Sequence, residues 1–251
     1  MLHLSEGYRY DSPDEVEGKG PPHELAVDLG CGTGQNARLL SPHFQKLVGI
    51  DVSESQLAEA RAVPGVYQHH LQVRTAEQLP FPDVSVDLLT VATAAHWFDC
   101  ERFFKEASRV LKPRGCIALL GYTDQFYINM IIRITIICVL LQVKKVLLPY
   151  TSRQLAEANS KLQDLYEAIP FPDKERVENI PSKLQMSVRS AVGITESYSM
   201  YQTFQRAEPQ AAAALLESVT TRLLKEMGVS SLDTMLDVTM HYYCVLACKP
   251  Q

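Results

Sequence analysis

Three glycines at alternate positions, Gly30, Gly32 and Gly34, follow an acid, Asp28, at the end of the short apolar run ELAVD. Glycines spaced in this way let the backbone approach a ligand with no Cβ in between, and a helix beyond the bend offers unpaired N–H groups. A second acid, Asp51, closes the next apolar run, KLVGID. A carboxylate in that place accepts two hydrogen bonds from the neighbouring hydroxyls of a ribose. The pattern is that of a site for a nucleoside-bearing ligand.

The spacing separates ligand classes. A dinucleotide site of the G-x-G-x-x-G type needs a third glycine where this chain has Gln35, so that helix and strand pack closely over a pyrophosphate. The spacing here is G-x-G-x-G with an acid in front. Asp28 suits a cationic amino or sulfonium group, directly or through water, better than an anion.

The elements that must carry these residues alternate between strand and helix. Glu24 to Asp28 is a buried strand entering the bend, Gln35 to Leu40 a short helix, and Lys46 to Asp51 a second strand. Ser53 with Gln56 three residues later has the form of a capping box for a helix to about Ala62, before Pro64-Gly65. His70 to Thr75 and Val86 to Ala92 are the third and fourth strands. Asp99 caps a helix through Leu111, the run Lys112 to Gly115 is a turn, and Cys116 to Gly121 is the fifth strand. Helices are expected over 152–168 and 208–227, with 187–199 and 238–248 as the sixth and seventh strands. This order implies an α/β fold: a Rossmann-like, doubly wound, mostly parallel seven-stranded sheet with helices on both faces.

Composition narrows the function classes. The chain has 251 residues, a formal net charge of −5, and no Lys/Arg stripe that could follow a phosphate backbone, which argues against a nucleic-acid partner. Six cysteines (Cys31, Cys100, Cys116, Cys138, Cys244 and Cys248) show neither a C-x-x-C pair nor zinc spacing. No metal site or disulfide framework is therefore expected, and reduced thiols in a cytoplasmic protein are the simpler reading. Residues 1–10 lack the charge and apolar core of a secretory signal. The apolar stretch 126–148 approaches the length of a bilayer span, yet Arg133, Asn129 and Gln142 lie inside it, which favours a buried strand or helix extension.

The runs AVDLGCGTG, VGID, AEQLPFPDVSVDLL and RVLKPRGCIALLGY together resemble class I S-adenosylmethionine-dependent methyltransferases of the UbiE-like type, also called methyltransferase type 11. AAHWFD followed by LLGY resembles more narrowly the trans-aconitate methyltransferase group. The resemblance is specific over Ala26 to Thr123 and looser beyond. It implies S-adenosylmethionine as cofactor, with Asp28, Gly30, Gly32 and Gly34 along its methionine part and Asp51 at the ribose. Ala76 and Glu77 would lie against the adenine beside Val52, and Thr93 and Ala94 beneath the sulfonium. His96 and Trp97 would face the acceptor, implied to be a small molecule such as a carboxylic acid. Both residues are equally open to a packing role, because a carboxylate needs no base at neutral pH. Arg189, Arg206, Tyr122 and Tyr201 are the other donors considered for such an acceptor.

Two regions depart from the family pattern. The stretch Ser12 to Pro22, with Gly18, Gly20, Pro21 and Pro22, leaves little room for the N-terminal helix that relatives fold over the cofactor. Residues 1–23 are accordingly read as a short N-terminal segment, and 24–251 as one methyltransferase domain with an apolar, insertion-like segment at 126–148. Two alternatives follow: a noncatalytic cofactor-binding relative with a membrane- or partner-binding segment, and an NAD-dependent oxidoreductase.

Overall fold

The structure, a computed structural model, describes residues 23–62, 70–128, 143, 145–151 and 162–251. Among the described residues seven strands form one sheet: β1 (His23–Leu29), β2 (Phe44–Asp51), β3 (Leu71–Val73), β4 (Val86–Ala92), β5 (Leu111–Ile128), β6 (Asp173–Ser187) and β7 (Met235–Cys248). Their order is β3-β2-β1-β4-β5-β7-β6. The first five pair in parallel, with Asp28 beside Thr90 and Ala92 beside Leu120 in the register. The chain reverses direction across β1, running outward to β3 on one side and to β4 and β5 on the other. That crevice is where open α/β sheets bind ligands, at the carboxyl ends of the strands.

By contact the chain divides into two compact units. One comprises the described residues within Asp11–Tyr122, Glu157–Ile180 and Tyr242–Gln251, the other those within Thr123–Ala156 and Pro181–His241. The first holds the glycine bend. Side chains alternate across its sheet with the strand period of two. Val27, Leu29, Leu89, Val91, Ile117 and Leu119 pack with Phe103, Phe104, Ala107 and Val110 of α3 (Cys100–Val110) and with Leu165 of α4 (Gln163–Ala168). On the opposite face Ala26 and Leu47 pack with Ala37 of α1 (Ala37–Leu40) and with Leu57 and Ala60 of α2 (Glu54–Arg61). Helices thus cover both faces, as the alternation of elements predicts.

In the second unit three helices follow one another: α5 (Val188–Ser197), α6 (Ser199–Ala207) and α7 (Pro209–Met227). Tyr201 is buried and its hydroxyl donates to the Ala212 carbonyl at 3.2 Å. Gly228, at φ +64°, closes α7 while Val229 N–H returns to the Leu224 carbonyl.

Several expectations are corrected. The stretch 187–199 is a helix and not the sixth strand: Ser187 Oγ accepts the Ser190 N–H at 3.1 Å, and Val188 and Thr195, seven residues apart, fall on one buried face. The sixth strand is Asp173–Ser187, whose many charges conceal its extended form. The expected turn at Lys112 to Gly115 lies inside β5 as an irregularity. There Val86 pairs Leu111 and Leu88 pairs Cys116, and Arg114 takes φ +64°. Cys116 and Cys248 form a disulfide across 132 residues, against the expectation of reduced thiols; the two cysteines lie at the start of β5 and the end of β7, which spacing along the chain cannot reveal. Cys31, Cys100 and Cys244 keep their thiols outside any disulfide among the described residues. The expected helix over 152–168 is described only as α4, and most of the apolar stretch 126–148, like residues 1–22, lies outside the described residues. Among the described residues no helix is long and apolar enough to cross a membrane.

Candidate functional site

At the end of β1 the chain enters the left-handed region three times, at Gly30 (φ +64°), Gly32 (φ +54°) and Gly34 (φ +85°). L-residues with a Cβ resist that conformation, which explains the alternate glycines. Gly30 is confined as well: a Cβ there would stand 2.4 Å from the Cβ of Ala94. At Gly32 a Cβ would meet only the Gln56 amide oxygen, at 3.8 Å, so that position faces open space. The bend is closed by Gly34 N–H donating to the Cys31 carbonyl at 2.9 Å, and tied to β2 by Cys31 N–H donating to the Ile50 carbonyl at 3.1 Å.

Both acids act on this bend. Asp51 accepts the Gly32 N–H on one carboxylate oxygen and the Ser53 N–H on the other, each at 2.8 Å. One lone pair on each oxygen remains for a ligand, since a carboxylate has about four acceptor positions. Asp28 is completely buried, and its Oδ1 accepts hydrogen bonds at 3.0 Å from Thr90 Oγ1 and from Asn36 Nδ2. Asn36 precedes α1 and also reaches Thr90 Oγ1 at 3.3 Å. Asp28 therefore joins the bend, the start of α1 and β4 from below. Asn36 and Thr90 are not among the residues singled out from sequence. The signal was present, however, in a lone hydroxyl within the buried run VDLLTVA, since buried polar groups need partners.

The remaining residues lie around the same strand ends. Val52 follows Asp51 with 68% of its surface exposed, an apolar side chain held open beside the bend. Ala76 is buried in the core, while Glu77 Oε1 accepts the Asp99 N–H at 3.0 Å, placing negative charge at the start of α3. Thr93, at φ +56°, is a β-branched residue in the left-handed region; its N–H donates to the Leu120 carbonyl at 2.8 Å. Such strain is held only where the surroundings fix it, and here Gly30 and β5 do so. Ala95–Trp97 forms one 3-10 turn, with the His96 and Trp97 rings 5.1 Å apart. Trp97 is half exposed, and burial pushes the His96 imidazole below its ordinary pKa.

Aromatic groups line β5 at Gly121 and Tyr122. Tyr122 meets Tyr242 edge-on at 6.2 Å, and Gly121 lies under the Tyr243 ring, which a Cβ would strike at 2.2 Å. Burial of the Tyr122 hydroxyl raises its pKa, so the phenol stays neutral. Of the other donors considered from sequence, Tyr201 is committed to the Ala212 carbonyl and Arg189 to Asp233 at 3.1 Å, and Arg206 is exposed on α6.

The acceptor set fits a cationic nucleoside better than a pyrophosphate. Asp28 and Asp51 lie at the carboxyl ends of β1 and β2, and the Gly32 N–H that a phosphate would want is already taken by Asp51. Helix α1, with four residues and no side-chain cap, adds little dipole for an anion.

Comparison with known proteins agrees with this geometry. Residues 27–119 match the model of a family described as methyltransferase domain. A Dictyostelium discoideum protein with a provisional methyltransferase name is 27% identical over 228 residues, covering 90% of this chain and 82% of its own. The malonyl-[acyl-carrier protein] O-methyltransferase of Methylococcus capsulatus is 39% identical over 111 residues, 42% of this chain and 40% of the relative. A solved structure from Anaeromyxobacter dehalogenans, described as a type II methyltransferase, superposes with a TM-score of 0.71 at 23% identity over 92% of both chains. The fold is the Rossmann-like α/β fold of methyltransferases, and the matched segment contains every residue of the glycine bend and its two acids.

Proposed function

We propose that the protein transfers a methyl group from S-adenosylmethionine to a small molecule. The observation that carries this reading is the left-handed Gly30-Gly32-Gly34 bend, clamped by Asp51, within the segment that matches a methyltransferase domain. When bound, the cofactor supplies an electrophilic methyl on a positively charged sulfur.

The chain's own residues bind and align. Gly30, Gly32 and Gly34 admit the methionine part, with Asp28 beneath them holding Asn36 and Thr90 in place. Asp51 offers its remaining lone pairs to the ribose. Val52 and the Ala76-Glu77 loop flank the adenine, and Thr93 and Ala94, the latter against Gly30, form the floor at the sulfonium. His96 and Trp97 stand on the acceptor side. Alignment of nucleophile and methyl is the main task left to the protein, because the sulfonium is reactive already.

The name of the Methylococcus relative speaks for an oxygen acceptor. For a carboxylic acid, a cation or a set of free hydroxyls beside His96 would be required, and Arg189 and Tyr201 are engaged elsewhere. Cytoplasmic residence belongs to the same proposal.

Calorimetric titration with S-adenosylhomocysteine tests the reading, with NADH as the comparison. Binding of the first alone is expected. Binding of NADH, or of neither, would overturn it.

A further inference from the structure

β5 and β7 are neighbours in the sheet, and the start of one is joined to the end of the other twice. The first join is made without sulfur. Arg114 N–H donates to the Lys249 carbonyl and Lys249 N–H to the Gly115 carbonyl, each at 2.9 Å, while Lys249 Nζ reaches the carbonyls of Ser108 and Leu111 around the end of α3. The second join is the Cys116–Cys248 disulfide. Behind both, Ile117, Leu119, Val245 and Ala247 are buried in one core. The strands therefore stay in place when the sulfurs part, and two thiols at these positions remain side by side. Proximity of that kind favours closing the bond again.

The pair is open to solvent on the Cys116 side. Both cysteines are partly exposed, and Cys116 Sγ stands 3.4 Å from the Arg114 carbonyl in a contact reached by water. The irregularity in β5 provides that opening: between the pairs Val86–Leu111 and Leu88–Cys116 the run Lys112 to Gly115 has only Asp87 opposite it, so the chain leaves the ladder just before Cys116. Cys31 and Cys244, by contrast, are buried. Exchange requires a thiolate to reach a sulfur of the disulfide, and access separates this pair from the buried thiols. Where the surrounding thiol pool is reducing, disulfides are as a rule transient and redox-sensing.

Independently of the methyltransferase reading, we propose that Cys116 and Cys248 are a reversible thiol–disulfide exchange site for small thiols of the glutathione class, attacked first at Cys116, whose oxidation state sets how firmly β5 and β7 are clamped and leaves the glycine bend unchanged. The small thiolate forms a bond to Cys116 Sγ as the Cys116–Cys248 bond breaks. The electron pair leaves on the Cys248 sulfur, which takes a proton from water. A second small thiolate then bonds to the sulfur of the first, releasing the Cys116 thiolate. Two small thiols are thereby oxidised to one small disulfide, and their two electrons reduce the cysteine pair; the reverse sequence closes it.

The test equilibrates the full chain, without denaturant, in mixtures of reduced and oxidised glutathione, starting once from oxidised and once from reduced protein. Alkylation of free thiols and peptide mass give the linked fraction. Both starting points should converge on one curve, passing from about ten parts linked to one part reduced to the converse as the glutathione ratio changes by about 100-fold, as a two-electron exchange requires. Near-ultraviolet circular dichroism should stay native throughout. A bond that yields to glutathione only after urea has unfolded the chain, or thiols that remain unpaired in oxidised glutathione alone, overturns the proposal, and neither result depends on a variant. In Cys248→Ser, oxidised glutathione should leave one adduct on Cys116, formed roughly tenfold faster than the adduct on Cys248 in Cys116→Ser. Equal or reversed rates overturn Cys116 as the point of attack. S-adenosylhomocysteine titration separates the two readings: absence of binding in both redox forms overturns the methyltransferase proposal alone, whereas binding in one form only overturns the claim that the glycine bend is unchanged.

Discussion

The Gly32 N–H donates to Asp51 Oδ2 at 2.8 Å, joining the middle glycine of the bend to the acid at the tip of the neighbouring strand. The other oxygen of Asp51 holds Ser53, so one carboxylate sets both the loop after β1 and the first residue of the chain leading to α2. The residue that would receive the ribose therefore also shapes the turn that would receive the methionine part. Asp51→Ala removes two charge-assisted bonds worth about 1.5–3 kcal/mol each, and S-adenosylhomocysteine affinity should fall at least about 100-fold. Calorimetry measures it. Asp51→Asn keeps one acceptor but opposes an NH2 to a backbone N–H, so it should recover little of the loss.

Gly30 is constrained in two separable ways. Its φ of +64° costs an L-residue about 1–2 kcal/mol, and a Cβ at 2.4 Å from the Ala94 Cβ adds overpacking of about 1–3 kcal/mol. Gly30→Ala should lower unfolding free energy by roughly that sum. In Gly30→Ala/Ala94→Gly only the backbone part should remain, and denaturant unfolding of the single and double variants would separate the two. Additive losses would show that the two loops do not touch.

His96 ties stability to pH. Burial disfavours the imidazolium, so the folded pKa lies below the unfolded value near ~6.5. Between the two values the unfolded chain binds more protons, and stability falls as pH drops through the window below ~6.5. Urea unfolding at pH 7.5 and pH 5.5 should show a smaller acid loss in His96→Gln than in wild type. If both lose the same amount, the buried imidazole is not the group responsible.

The parallel half of the sheet is plain in the sequence because β1, β2 and β4 are short apolar runs and capping residues mark the helices between them. Ser53 and Asp99 show the quality of that signal: Ser53 Oγ accepts the Gln56 N–H and Asp99 Oδ1 the Arg102 N–H, as their spacing predicts. The glycine bend is legible for the same reason, since alternating glycines report positive φ. The role of Asp28 beneath the bend is less so. Its type fits a cationic ligand, and only the register that sets it beside Thr90 shows which neighbours use its charge. Past β5 the period of two and the period of 3.6 compete. The β-branched stretch around Val188 reads as strand until the Ser187 cap decides for helix, and Asp173–Ser187 pairs although charged residues interrupt its alternation.

Arg109 is a second junction of the first unit, distant from the glycine bend in the chain. Its guanidinium grips both oxygens of Glu106, donates to the carbonyls of Leu79 and Phe81, and reaches Asp83, while Glu106 also accepts the Leu79 N–H. The hydrogen bonds from Arg109 hold the Glu106 carboxyl below its ordinary pKa. Stability from Glu106 is therefore complete above an unfolded pKa near ~4.3 and disappears as pH falls through the lower folded value. Arg109→Ala strips partners from two carbonyls and two carboxylates, Glu106 and Asp83; because the side chain is partly exposed, the loss should be about 1–2 kcal/mol at pH 7. It should shrink at pH 3, and a loss independent of pH would mean that packing of the arginine stem, not its charge, is what matters.

The disulfide between Cys116 and Cys248 closes a loop that spans most of the chain after β4, joining the start of β5 to the end of β7. The backbone repeats the junction: Arg114 N–H donates to the Lys249 carbonyl and Lys249 N–H to the Gly115 carbonyl, each at 2.9 Å. These bonds keep the strand ends paired when the sulfurs are reduced, so the native arrangement should survive while the unfolded chain gains freedom. Oxidised protein should exceed reduced protein in unfolding free energy by about 2–4 kcal/mol. Cys116→Ser should match the reduced wild type and show no further response to reductant. S-adenosylhomocysteine affinity should be the same in all three, because the glycine bend and Asp51 lie on β1 and β2. An affinity that follows the thiol state would instead mean that pairing of β5 with β7 is felt at the Thr93-Leu120 bond beside the cofactor site.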